Sequence, residues 1–187
     1  MALPSTRVEY RIALSHVDRG IKVSQAVIAA HHPSETAEHL TLRILAWCLL
    51  YEESISFAAG LSDPDAADLW AHDLTGRLSL WIECGAADGV KLRRVVQHHA
   101  DAQVHAVFAG DRRRKDLLDQ VASWPRPAKG FERVELWSIS PELVAALAAH
   151  EDRRHRWSVT IVGDHLYVEA EGKSLDGPVE RSRPFGE

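Results

Sequence analysis

Apolar and polar residues alternate from Arg7 to Ser15, with Val8, Tyr10, Ile12 and Leu14 on one side and Arg7, Glu9, Arg11 and Ala13 on the other. A period of two marks a half-buried strand. The turn-forming stretch His16–Gly20 follows, and Ile21, Val23 and Val27 resume the alternation, which predicts a long antiparallel hairpin. Ser34 then suits a helix cap, with Glu35 and Glu38 in a first turn whose dipole favours negative charge. This helix is predicted to run to about Glu53. Leu42, Leu45 and Leu49 form one apolar stripe along it, and Leu40, Ile44, Trp47 and Tyr51 form another on the opposite side. A helix that is apolar on two faces belongs between layers.

Farther along, Ser62–Asp65 reads as a loop. Asp68–His72, the turn Asp73–Gly76 and the run Leu78–Cys84 read as a second hairpin. Asp88-Gly89 opens a helix reaching His99, and Ala102–Phe108 is a strand, so a parallel strand pair is expected. A helix over 114–123, a strand over 131–139, a short helix starting at Ser140-Pro141-Glu142 and a last hairpin turning at Gly163-Asp164 complete the pattern. The expected class is α/β, a mixed sheet flanked by helices. Residues 1–171 are expected to form a single domain, and the polar stretch 172–187 a loosely packed tail.

The 187-residue length suits one domain, and 45% hydrophobic with 26% charged residues is an ordinary globular balance. The net charge of -5 gives no global basic field, so a nucleic-acid partner would have to be held by a local patch. The only cysteines, Cys48 and Cys84, lie in apolar runs and suggest buried thiols in a reducing compartment. No export signal or membrane-spanning stretch is read, so the expected location is cytoplasmic.

Acidic residues supply the candidate chemistry. On the helical wheel Glu38 lines up with Leu42, Leu45 and Leu49, which predicts a carboxylate on an apolar side. With a four-residue turn at Asp73–Gly76, Asp68 would face Trp81 and lie diagonal to Glu83. A turn one residue longer would flip Asp68 to the other face. Leu78, Leu80, Ile82 and Cys84 would form the core side. If Glu38, Asp68 and Glu83 converge, their mutual repulsion calls for a cation, and hard ions such as Mg²⁺ or Mn²⁺ select oxygen ligands. The competing reading is a satisfied polar network tying the helix to the sheet.

The string His31–Glu38, the segment Leu42-Arg43-Ile44-Leu45-Ala46-Trp47, Gly60-Leu61-Ser62, and the block from Asp68-Leu69-Trp70 through Asp73–Gly76 to Leu80–Gly85 resemble the YaeQ family, over about residues 1–170. That family has no settled activity. The resemblance implies a restriction-endonuclease-like PD-(D/E)XK core behind an N-terminal β-hairpin, with an acidic site that binds divalent metal. It places the motif aspartate on Asp68, the second acid on Glu83, and the helix acid on Glu38 or Glu35. Ala67 stands where the motif has proline, and Gly85 where it has the lysine that activates water or stabilises charge. Lys91 and Arg43 are the candidate replacements.

Two functions are therefore expected to compete. One is a divalent-metal-dependent, nuclease-like phosphodiesterase using Glu38, Asp68, Glu83 and Lys91 on nucleic acid. The other is a non-catalytic module that keeps the fold and binds a partner, nucleic acid or protein. The eleven histidines show no recognised zinc spacing. The basic run Arg112–Lys115, bracketed by Asp111 and Asp116, reads as solvated surface, and Cys84 as an inert thiol.

Overall fold

A computed structural model describes residues 5–58, 66–126, 128–150 and 152–185. The opening alternation becomes β1 (Thr6–His16) and β2 (Ile21–His31), antiparallel from Thr6 opposite His31 to His16 opposite Ile21. Helix α1 (Ala37–Leu49) is capped by Thr36, whose hydroxyl accepts from the His39 N–H, so the cap falls two residues after Ser34. Every residue from Leu40 to Leu49 is buried, as two apolar stripes require. Strand β3 (Ser56–Phe57) is too short to leave a periodic signal.

The chain continues through β4 (Leu69–His72), β5 (Leu78–Cys84), α2 (Gly89–His98), β6 (Gln103–Ala109), α3 (Arg112–Ala122), β7 (Glu135–Ile139), α4 (Pro141–Ala148), β8 (Arg154–Val162), β9 (His165–Ala170) and β10 (Lys173–Ser182). The strand expected over 131–139 begins late, because Phe131–Arg133 form a 3-10 turn. The Gly60-Leu61-Ser62 motif and most of the loop around it lie outside the described residues.

Among the described residues the fold combines α and β structure: one mixed ten-stranded sheet, in the order β2-β1-β8-β9-β10-β7-β6-β5-β4-β3, with four α-helices. The expected parallel pair is β5 with β6; β6 with β7 and β1 with β8 are parallel as well. Residues 173–182, expected in a loose tail, instead form β10, which pairs with β9 on one side and β7 on the other and joins the two halves of the sheet. Its apolar alternation is weak because one buried position is Gly177, where a Cβ would lie 2.7 Å from Ser140 Cβ.

The sheet curls around α1. Buried residues of β1, β2, β4, β5, β8, β9 and β10 pack with α1 and α4 into one core, and a second core lies between β6 and helices α2 and α3. The outermost strands, β2 and β3, approach each other across Arg43. Its guanidinium donates to the Ala30 carbonyl in β2 at 3.2 Å and to the Ala58 carbonyl just past β3 at 3.5 Å, and stacks over Phe57 in β3. Both cysteines are buried free thiols, and burial pushes their pKa values up, as an inert role requires. Among the described residues no helix is long and apolar enough to cross a membrane.

Candidate functional site

Two departures from the expected hairpin geometry fix the acids. The Asp73 N–H donates to the Arg77 carbonyl, leaving Leu74-Thr75-Gly76 as the turn, one residue shorter than expected. The Asp73 carboxylate organises it by accepting from the Thr75 and Arg77 N–H groups and the Thr75 hydroxyl. A bulge then follows, because His72 pairs with Leu78 but Ala71 with Leu80. Each change flips the face once, so together they restore the expected face but move the partners by two. Trp70 pairs with Trp81 and Leu69 with Ile82, and continuing this register places Asp68 opposite Glu83 rather than Trp81. The bulge also turns Leu78 away from Leu80 and Ile82, onto the α2 side.

On the α1 side the acid that turns inward is Glu35. Glu38 is exposed, contrary to its place on the wheel, because burial in α1 begins only at Leu40. The Glu35 side chain is fully buried and accepts from Arg43 at 3.1 and 3.3 Å, from His39 Nδ1 at 2.7 Å and from the His32 N–H at 3.3 Å. His39 Nε2 lies 3.2 Å from the Cys84 carbonyl. With acceptors on both ring nitrogens, His39 must donate from both and is an imidazolium. Burial opposes that charge, but the bond to Glu35 and the nearby Asp68 carboxylate outweigh it and raise the His39 pKa. Burial likewise opposes ionisation of Glu35, while His39 and Arg43 prevail and lower its pKa.

Asp68 joins the two sides of the strand end. One oxygen accepts from the Cys84 N–H at 2.7 Å; the other lies 3.9 Å from both His39 Nε2 and Arg43 Nε. Arg43 Nε is buried and has no hydrogen-bond partner. On the α2 side, Glu83 accepts from Trp81 Nε1 at 2.7 Å, and Lys91 Nζ lies 2.8 and 3.0 Å from its two oxygens. Lys91 also donates to the Ala66 carbonyl at 2.7 Å and sits 5.6 Å from the centre of the Trp81 ring. Burial raises the Glu83 pKa; Lys91 opposes this, and Asp68 adds to it through like charge.

Gly85, where the resemblance would place a lysine, is a position that disfavours any side chain. Gly85 has φ +76, and a Cβ there would lie 3.1 Å from His39 Cδ2, so a side chain meets both a left-handed backbone and the imidazolium. The cation paired with Glu83 is Lys91 of α2. Glu35, Asp68 and Glu83 are thus set against His39, Arg43 and Lys91, three charges of each sign. Of the residues read from sequence, Asp68, Glu83, Lys91 and Arg43 gather here and Glu38 does not. The structure adds His39 and promotes Glu35. Their common signal is the four-residue spacing of Glu35, His39 and Arg43, the last two on one stripe of α1 and Glu35 just ahead of its cap. The basic run at Arg112 lies apart from this cluster, with Arg114 held by Asp111 and Ser182, and Arg113 by Asp116.

The family model described as YaeQ protein matches residues 1–178. Similar relatives include the "Uncharacterized protein YaeQ" of Salmonella typhi, 27% identical over 176 residues and 94% of each chain. The Escherichia coli (strain K12) protein of the same name is 26% identical over the same shares. Among solved structures, the YaeQ protein from Xanthomonas axonopodis pv. citri superposes with a TM-score of 0.84 at 26% identity, covering 96% of this chain and 98% of that one. The YaeQ protein from Pseudomonas syringae gives 0.81 at 26% identity, over 96% and 97%.

Proposed function

The chain belongs to the YaeQ family, and from that footing we propose a divalent-metal-dependent, nuclease-like phosphodiesterase whose metal-binding acids are Asp68 and Glu83 and whose cation is Lys91. The observation that carries this reading is the lysine on Glu83. A cation reaches the second acid from α2, where its own strand has only Gly85. The fold, a mixed sheet flanked by helices with acids at a strand end, agrees with a PD-(D/E)XK-like core.

The donor set fits Mg²⁺ or Mn²⁺. Such ions are commonly held by one or two carboxylates, with water and substrate oxygens completing the shell. Asp68 has one oxygen whose nearest cationic nitrogens stand 3.9 Å away, and Glu83 lies across the strand pair from it. Among the described residues no group of three or more His, Cys, Asp or Glu side chains is placed to hold a metal ion, so water and substrate oxygens would have to complete the shell around Asp68 and Glu83. A bound ion would supply an activated water and neutralise phosphate charge. Lys91 would stabilise charge developing on a phosphate oxygen, while His39 holds the Glu83-Cys84-Gly85 strand end in place through the Cys84 carbonyl. Glu35 and Arg43 position His39 and Asp68.

One observation favours a second reading, a non-catalytic binding module: the three acids are already balanced by three cations of the chain. Calorimetric titration with Mn²⁺ and Mg²⁺, comparing wild type with Asp68→Asn and Glu83→Gln, separates the two. The enzyme reading expects saturable binding that both variants lose, together with metal-dependent cleavage of DNA or RNA. Failure of the folded wild type to bind either ion would discard it. Nucleic-acid or protein binding that survives Glu83→Gln, without cleavage, would establish the module.

A further inference from the structure

A chain of net charge -5 can hold a polyanion only on a local patch, and the outer face of β1 and β8 carries one. Val8, Tyr10, Ile12 and Leu14 of β1, with Trp157 and Val159 of β8, point into the core around α1. Alternation therefore turns Arg7, Glu9 and Arg11, together with Arg154 and Arg156, outward. The parallel register sets Arg11 beside Arg156 and Glu9 beside Arg154. On the other flank β2 brings no charge, because Ala30, Ile28 and Ala26 stand beside Arg7, Glu9 and Arg11.

All four arginines are exposed. Among the described residues Arg7, Arg154 and Arg156 make no ion pair, and Arg11 has only Glu9, at 2.9 Å. A shallow depression of about 490 Å³ lies among Arg11, Arg154 and Arg156. The other carboxylate on its rim, Glu171, accepts from the Arg156 backbone N–H at 3.1 Å rather than from the guanidinium. Like charges directly across a strand pair repel, so a sheet that sets Arg11 against Arg156, with Arg154 on the diagonal, holds more positive charge than it neutralises. The row begins next to the candidate site, because Arg7 pairs with Ala30, whose carbonyl accepts from Arg43. From Arg7 to Arg11 it extends about 13 Å along β1, at roughly 3.3 Å per residue.

We infer that this face is a docking surface for the phosphodiester backbone of a nucleic acid, with Arg7, Arg11, Arg154 and Arg156 as its phosphate contacts. A guanidinium is a fork of donors that meets phosphate oxygens two at a time. The exposed neighbours Ala13, Ala26 and Ser158 are too small to keep a backbone off the guanidiniums. An acidic peptide offers the same sign of charge, but the start of the row beside a phosphodiester site favours nucleic acid. The inference rests on the nucleic-acid substrate of the phosphodiesterase reading and not on its metal.

The test is fluorescence anisotropy of the full chain with a labelled DNA duplex, a DNA single strand and an RNA single strand, in EDTA across a salt series, so that metal binding at Asp68 plays no part. Arg154→Glu/Arg156→Glu is compared with Arg112→Glu/Arg113→Glu, which changes the net charge equally at the exposed basic run of α3. The expected result is salt-sensitive binding of at least one of the three, weakened about tenfold or more in the β8 variant and about twofold or less in the α3 variant. The slope of log K against log salt should fall by about 1.4–1.8 in the β8 variant, roughly 0.7–0.9 for each of two phosphates. If the double reversal fails to fold, Arg154→Gln/Arg156→Gln, which adds no new charge, should show the same loss of slope. No salt-sensitive binding, equal losses in the β8 and α3 variants, an unchanged slope, or displacement of the nucleic acid by poly-glutamate at matched charge would overturn the assignment. None of these outcomes touches the Mn²⁺ titration of Asp68 and Glu83, so the docking face and the metal site can fail separately.

Discussion

Strand β5 separates two buried ion pairs that resemble each other and behave in opposite ways. On its α1 side, Glu35 meets Arg43 at 3.1 Å and its pKa falls; on its α2 side, Glu83 meets Lys91 at 2.8 Å and its pKa rises. Contact with a cation therefore does not decide the sign. Glu35 gathers donors from Arg43, His39 and a backbone N–H, enough to overcome burial. Glu83 has one amine and one indole N–H and feels Asp68 as a second negative charge, so burial prevails. The α1 pair is a closed lock, and the α2 pair keeps a carboxylate that can exchange partners.

The largest effect should come from removing the lock. Arg43 is 1% exposed and bonds Glu35 and both sheet edges, so Arg43→Met should cost about 3–5 kcal/mol in urea unfolding by leaving a buried carboxylate with His39 as its one cation and the two edge carbonyls without their donor. Arg43→Lys should recover little of this, since a single ammonium cannot span the same carbonyls and carboxylate. A loss below ~1 kcal/mol would erase the contrast with the α2 side, since exposed ion pairs are worth no more.

Breaking the α2 pair should cost less. Lys91 is 16% exposed at its side chain and can turn to water, so Glu83→Gln is expected to lose roughly 1–2 kcal/mol in the same assay. Equal losses for Arg43→Met and Glu83→Gln would make both pairs structural and weaken the case for Glu83 as a metal ligand.

The two acids should also separate with pH. In a carboxyl-carbon NMR titration, Glu35 is expected to titrate below 4.5 and Glu83 above it. For Glu35, with its folded pKa depressed, the stabilisation is present above the unfolded pKa and lost as pH falls through the folded value. For Glu83 the sign reverses: wild-type stability relative to Glu83→Gln should drop as pH rises from the unfolded pKa through the raised folded one. The same order of titration in both acids would contradict the distinction drawn between them.

The smallest effect belongs to His39, 23% exposed at its side chain. Its raised pKa means that its contribution is fully present below the unfolded value of 6.5 and lost as pH rises through the folded one. The stability gap between wild type and His39→Gln should therefore be widest in mild acid and narrow with rising pH. A gap independent of pH would mean that His39 is not held as an imidazolium.

Much of this is legible along the chain. Period-two runs mark β1, β2, β5, β6 and the last hairpin; capping residues mark α2 and α4; and the two apolar stripes of α1 require burial on both sides. Asp68, Glu83 and Lys91 also stand out as candidates. What sequence by itself determined was local: which residues alternate, which cap, and which charges lie among apolar neighbours. Three features were decided only in the folded molecule. A turn one residue short and a bulge set the partner of Asp68, because register depends on where the ladder slips rather than on composition. Burial starting at Leu40 gave the inward role to Glu35 rather than Glu38, because a helical wheel fixes direction but not where the core begins. The pairing of β10 between β9 and β7 turned an expected tail into the strand that joins the sheet's halves, because a glycine at a buried position hides in sequence the close contact it makes in space.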